Sequence, residues 1–178
     1  MGYGEIMSVV LEPMAGRHVD AVSAIDSRCF SRPWSAAQWR TELTAADRTH
    51  LVARDSDQVV AHAGTLRVLD ELHVTTVAVD PDHEGKGHGT RLCIELLRLG
   101  IAAGATAATL EVRAQAHRTQ RLYSRLGFAP AGIRSRYYDR PTDDAVIMWL
   151  HDLDSPEIVE RLDRVAAELL PISDGAAS

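Results

Sequence analysis

Cysteine is scarce in this 178-residue chain. There are two, Cys29 and Cys93, far apart and in no metal-ligand pattern. A disulfide framework is excluded, no metal is expected, and a reducing compartment, the cytoplasm, is the expectation. Positive charge is in deficit as well: 19 Lys and Arg stand against 25 Asp and Glu, a formal charge of -6. That argues against nucleic acid as a partner, because broad nucleic-acid binding needs a basic face. An acidic surface suits a basic peptide or an amine. No apolar run approaches the roughly 20 residues of a membrane span. The opening "MGYGEIMSVV" lacks a basic region followed by an apolar one, so no membrane association is expected. Repeats and low-complexity segments are absent too. What remains is a chain with 46% hydrophobic and 25% charged residues, a composition that fits one globular domain with a real core. Nothing in it sets the oligomeric state, and a homodimer stays open.

Local patterns divide the chain into elements. "MSVVLEPM" reads as a first strand. "GRHVDAVSAIDSRCF" spaces Val19, Val22, Ile25 and Phe30 as an amphipathic helix does. "SRPWSAAQWRTEL" reads as a turn and a helix capped by Ser35. Three β-rich runs follow, "THLVARD", "QVVAHAGTLRVL" and "ELHVTTVAV", the first two joined by a turn at "SD". A helix runs from the glycine segment to about Ala103, and "AATLEVR" has strand character. "HRTQRLYSRLGF" predicts a short helix stopped by Gly127. "APAGIRSRYY" and "DDAVIMWL" are the last strands. The order predicts an α+β domain (α/β three-layer type) on one twisted, mixed, mostly antiparallel sheet flanked by helices. It spans residues 1-150. Residues 151-178 add a C-terminal helix, with Ser155 and Pro156 as N-cap and first position, and a frayed tail rather than a second domain. The apolar stripe Ile158, Leu162, Val165, Leu169 is expected to pack on the same domain.

One segment stands out. "DPDHEGKGHGTRL" places Gly85, Gly87 and Gly89 at alternate positions between a strand and a helix. It reads either as a plain turn or as a bed for phosphate. Free N–H groups at a helix start converge on one spot, and glycine lets a ligand approach the backbone. Lys86, His88 and Arg91 add positive charge nearby. A Walker A loop is excluded, since no G-K-[ST] closes it, and the Rossmann spacing is missing.

Together with what surrounds it, this segment resembles the GNAT superfamily of acyl-CoA-dependent N-acetyltransferases. The residues that carry the likeness are "VAVDPDHEGKGHGTRL", "LEVRAQAHRTQRLYSRLGF" and "RSRYYDRPTDDAVIMWL", from Thr76 to Met148. "RPWS" adds a likeness to the substrate loop of the RimI-type (ribosomal-protein-alanine) N-terminal acetyltransferases. The resemblance implies a GNAT-like sheet, acetyl-CoA as co-substrate, and a peptide or protein N-terminus as acceptor. It further implies that Gly85, Lys86, Gly87, His88 and Gly89 cradle the diphosphate, with Thr90 capping the next helix. The backbone of Val77, Ala78 and Val79 would hold the pantetheine arm. Glu111 would be the base, Tyr123 the acid, and Trp34, Tyr137 and Tyr138 would contact the acceptor.

Two positions depart from the family pattern. Glu84 stands where Gln or Arg is usual, and would have to turn to solvent or pair with Lys86. Ala116 replaces an asparagine. His73 is the alternative base. The acceptor could instead be a lysine side chain or a small amine. A non-catalytic acyl-CoA-binding interaction module is the third reading, since an eroding cofactor site would look like Glu84 and Ala116.

Overall fold

A computed structural model describes residues 9–169. The start of the expected first strand, at Met7, and the expected frayed tail after Pro171 lie outside them. The described part of that strand is β1, Val9–Pro13. A single 3-10 turn at Gly16–His18 leads into α1, Val19–Cys29. α2, Ala36–Glu42, starts at Ser35, whose hydroxyl accepts from Gln38 N–H while the Gln38 side chain reaches back to the Ser35 N–H. This reciprocal cap is what the sequence "SAAQ" encodes. β2 (Arg48–Asp55), β3 (Gln58–Val68) and β4 (Glu71–Val79) form consecutive hairpins. α3 (His88–Ala102), β5 (Ala107–Arg113) and α4 (His117–Leu126) follow. α4 ends at Gly127, whose φ of 109° only glycine adopts freely. β6 (Ala129–Tyr138), β7 (Asp143–Leu150) and α5 (Pro156–Glu168) complete the elements of the described residues.

The seven strands form one sheet in the order β1-β2-β3-β4-β5-β7-β6. Every pair is antiparallel except β4–β5. Helices lie on both faces. On one, Val22 and Ile25 of α1 and Trp39 of α2 pack against Val52, Val59 and Ala78. On the other, α3 places Leu92 and Leu96 against Leu51, Ala53 and Ala63. Cys93 and Leu97 of α3 join Leu110, Val112, Leu126 and Met148 there. The α5 stripe Ile158, Leu162 and Val165 is buried in that same cluster. Three layers around a mixed sheet are thus what the strand and helix pattern predicted.

Two irregularities shape the centre of the sheet. β4 and β5 pair only at Glu71–Ala107, Leu72–Ala108 and His73–Thr109; beyond His73 the two strands separate. Opposite the β3 segment Gly64–Thr65, β4 carries an extra residue, Thr75, because Val74 faces Thr65 while Thr76 faces Gly64. Such a bulge turns two successive side chains to one face. Thr75 donates its hydroxyl hydrogen to the Gly64 carbonyl at 3.1 Å.

Candidate active site

The cleft between separated β4 and β5 has a different chemistry on each side. Leu110 and Val112 belong to the core beneath α3, α4 and α5, so by strand alternation Glu111 points to the α1–α2 side. There it lies 3.2 Å from Nε of Arg134 on β6. The same carboxylate raises the Tyr137 phenol above its ordinary value. Tyr138 is raised as well, first by burial and then by the Glu111 charge. The Arg113 guanidinium stacks 4.3 Å from the Tyr138 ring centroid. The structure therefore brings Glu111 and the twin tyrosines together, with two arginines that the sequence reading had not singled out.

Tyr123 belongs to the other side. It is 6% exposed on α4 and meets Phe128 edge-on, with ring centroids 5.8 Å apart. Burial above all raises its pKa well above the ordinary value. A phenol in that state keeps its proton at neutral pH. His73 marks the last paired position of β4, with Nε2 3.4 Å from the Glu71 carboxylate.

The glycine segment forms an anion-ready loop. Gly85 and Gly87 both have left-handed backbones, φ 80° and 82°. Gly87 is the N-cap of α3, so Thr90 does not cap this helix as expected; it is buried within the first turn, which begins at His88. The first-turn N–H groups of α3 have no carbonyl above them in the helix and face the loop. A Cβ on Gly85 would lie 3.4 Å from Nη2 of Arg118, and one on Gly87 would lie 2.9 Å from Cδ2 of Leu169. The loop is thus crowded by a cation from α4 and by the last described residue after α5. Arg91 donates from its guanidinium to the Leu169 carbonyl. Glu84 does not pair with Lys86: its carboxylate is half exposed and lies 3.9 Å from Nη1 of Arg118. Lys86 is exposed, whereas the His88 ring is buried with neither nitrogen partnered among the described residues. Burial lowers the His88 pKa. Val77 and Val79 face α3, where a Cβ on Gly89 would lie 3.4 Å from Val79. Ala78 faces α1 and α2. Backbone amides at a helix start, a glycine cradle and the cations Arg118 and Arg91 are a donor set that fits a diphosphate.

Trp34 lies on the loop between α1 and α2. Its ring meets Trp39 at a tilt, with centroids 5.0 Å apart, and it lines a cavity of 190 Å³ with Asp26, Phe30, Arg32, Thr75 and Thr76. An ion pair joins Arg32 to Asp139 at 2.7 Å. It ties the α1–α2 loop to the β6–β7 turn. A larger cavity of 1180 Å³ runs along α1 and the β2–β3 turn. Arg54 pairs there with Glu12 and Arg28 with Asp80, the buried Asp55 pairs with no cation among the described residues, and the cavity holds neither Glu111 nor Tyr123. Among the described residues no cluster of His, Cys, Asp and Glu has metal-binding geometry, and no helix is long and apolar enough to cross a membrane.

Comparison with known proteins agrees with this geometry. The profile of the acetyltransferase (GNAT) family matches residues 19–128. The N-alpha-acetyltransferase RimI of Mycobacterium tuberculosis is 36% identical over 120 residues, 65% of this chain and 74% of its own. The [ribosomal protein bS18]-alanine N-acetyltransferase of Salmonella typhimurium is 35% identical over 139 residues, 71% of this chain and 86% of its own. The crystal structure of the ribosomal-protein-S18-alanine N-acetyltransferase from Escherichia coli superposes with a TM-score of 0.75 at 29% identity. That match covers 82% of this chain and 94% of the other. With the profile, the relatives and the splayed sheet in agreement, the chain belongs to the GNAT acetyltransferase family and is an acyl-CoA-dependent N-acetyltransferase of the RimI type.

Proposed function

We propose that the protein transfers the acetyl group of acetyl-CoA to the N-terminal α-amine of a protein, such as a ribosomal protein, with Glu111 as base and Tyr123 as acid. The observation that carries this reading is the opening between β4 and β5, with Glu111 on one face of the sheet and Tyr123 on the other. Acetyl-CoA would supply a thioester carbonyl open to attack. The loop Gly85–Gly89 and Arg118 would hold its diphosphate. The backbone of Val77–Val79, which has no β5 partner, is free to hydrogen-bond the arm and polarise the carbonyl. An amine must lose a proton to attack, and Glu111 sits on the groove side to receive it, directly or through one water. The departing thiolate needs a proton, and the buried Tyr123 phenol retains one to give. Relatives named for alanine acetylation of bS18 support a protein N-terminus as acceptor.

The test is turnover on a matched set: a peptide with a free N-terminal alanine, the same peptide with a blocked terminus and an internal lysine, and spermidine. Thiol release and mass spectrometry should show acetylation of the free terminus alone. Turnover of the blocked peptide or of spermidine would move the acceptor to a side-chain or small amine.

A further inference from the structure

α1 carries an acid for which the acyl transfer has no use. Asp26 is 2% exposed, and both of its carboxylate oxygens are held. The Trp39 indole N–H donates to Oδ2 at 2.8 Å, and Nε2 of His62 lies 2.7 Å from Oδ1. His62 is wholly buried on β3 and meets the Trp39 ring edge-on at 5.2 Å. Its Nδ1 has no partner among the described residues. Three elements therefore converge on one desolvated carboxylate, whose sole ion-pair partner among the described residues is an imidazole. Burying a carboxylate costs several kcal/mol unless cations and hydrogen bonds compensate it. Apolar packing between α1, α2 and β3 would not require one.

Asp26 also borders the 190 Å³ cavity, whose other walls are Phe30, Trp34, Trp39, Thr75 and Thr76, with Arg32. The bulge at Thr75 is what gives both threonine side chains to this face. Arg32 is engaged by Asp139 and largely exposed, so its charge is spent at the rim. Aromatic walls over a carboxylate floor attract a cation and repel an anion. The cavity also lies on the same face of the sheet as Glu111 and beside the unpaired part of β4.

We propose that this cavity is an ammonium-binding subsite for the acceptor, with Asp26 as its counter-charge and with His62 and Trp39 as the residues that position the carboxylate. This rests on the acyl transfer to an amine proposed above. The ligand class is a protonated primary amine. Two sources share that chemistry: the α-ammonium of the first residue, and a lysine side chain close behind it.

The experiment uses the full chain with n-butylammonium and 1-butanol as a matched pair of probes. Direct titration followed by tryptophan fluorescence should show saturable binding of n-butylammonium and none of 1-butanol at equal concentration. n-Butylammonium should also compete with the peptide and not with acetyl-CoA. Asp26→Asn keeps the side-chain shape and an acceptor for Trp39, and should weaken n-butylammonium about ten-fold or more. It should raise KM for the peptide by a similar factor, with kcat and acetyl-CoA affinity near wild type. Equal binding of the two probes by wild-type protein overturns the proposal, whether or not the variant folds. So does an Asp26→Asn protein that folds and keeps wild-type KM, or one that loses kcat alone. A peptide with lysine at its second position, set against the same peptide with norleucine, separates the sources. A KM difference assigns the subsite to the side chain, and equal KM values with competition by n-butylammonium assign it to the α-ammonium. The readings fail separately: absence of acetyl-CoA binding in calorimetry would end the acyl-transfer reading, while the fluorescence titration would still decide the subsite.

Discussion

Arg134 reaches across β7 to place its Nε 3.2 Å from the carboxylate of Glu111. The same carboxylate raises the Tyr137 phenol above its ordinary value, and Arg134 lies 5.6 Å from the Tyr137 ring centroid. The proposed base is thus oriented by β6, two strands away from its own, rather than lying loose on the surface.

Glu111→Gln preserves the shape of the side chain and an oxygen for Arg134, and removes the proton acceptor. Turnover should fall by about two to four decades while calorimetry shows acetyl-CoA affinity nearly unchanged. An unchanged rate would transfer the role to His73, which stands where β4 and β5 part.

Tyr123→Phe deletes one oxygen and leaves the edge-on contact with Phe128 in place. Thermal stability should change little and turnover should slow. Full activity would return Tyr123 to a purely structural place in the core.

Arg118 stands beside Gly85, and Glu84 is its partner. Arg118→Gln should weaken acetyl-CoA several-fold in calorimetry, because a charge-assisted contact to phosphate is lost. Glu84→Gln should act in the opposite direction, tightening acetyl-CoA by freeing Arg118. No change in either variant would mean that the diphosphate takes only the backbone amides.

Stability should depend on pH below neutrality. Burial lowers the pKa of both His50 and His88 from the ordinary 6.5. As pH falls through about 6.5 the unfolded chain takes up protons that these rings refuse in the folded state. The unfolded state then binds more protons, so stability falls toward acid, and the loss stops below the lowered folded values. Melting curves at pH 7.5 and 5.5 should show the drop, and His88→Gln should flatten it. An unaltered slope in that variant would remove His88 from the account.

Much of the fold was legible because its signals are local. Ser35 and Ser155 cap α2 and α5, and Gly127 stops α4. Each acts within a few residues of itself. Thr90 shows the limit of that logic: a threonine in a glycine-rich segment looks like a cap, but the left-handed Gly87 starts the helix three residues earlier. Glu84 was expected either to turn to solvent or to pair with Lys86; its carboxylate is half exposed, and the cation beside it is Arg118, which α4 returns to the loop.

The sequence by itself determined which residues could carry the chemistry: a glycine loop between strand and helix, Glu111 on an alternating strand, Tyr123 twelve positions on, and the family to which that order belongs. Only the tertiary structure decided what those residues meet. Asp26 and His62 are 36 positions apart, on a helix and a strand, and periodicity in either element says nothing of the other. Their meeting depends on the order of strands in the sheet. Likewise, Thr75 and Thr76 line one cavity because a bulge breaks the two-residue alternation. The end of α5 lies against Gly87 because its apolar stripe packs on the core beside α3 and α4. Caps and periods are set by a residue and its neighbours, whereas contacts across the sheet are set by how the layers pack, and the site is built from contacts of that second kind.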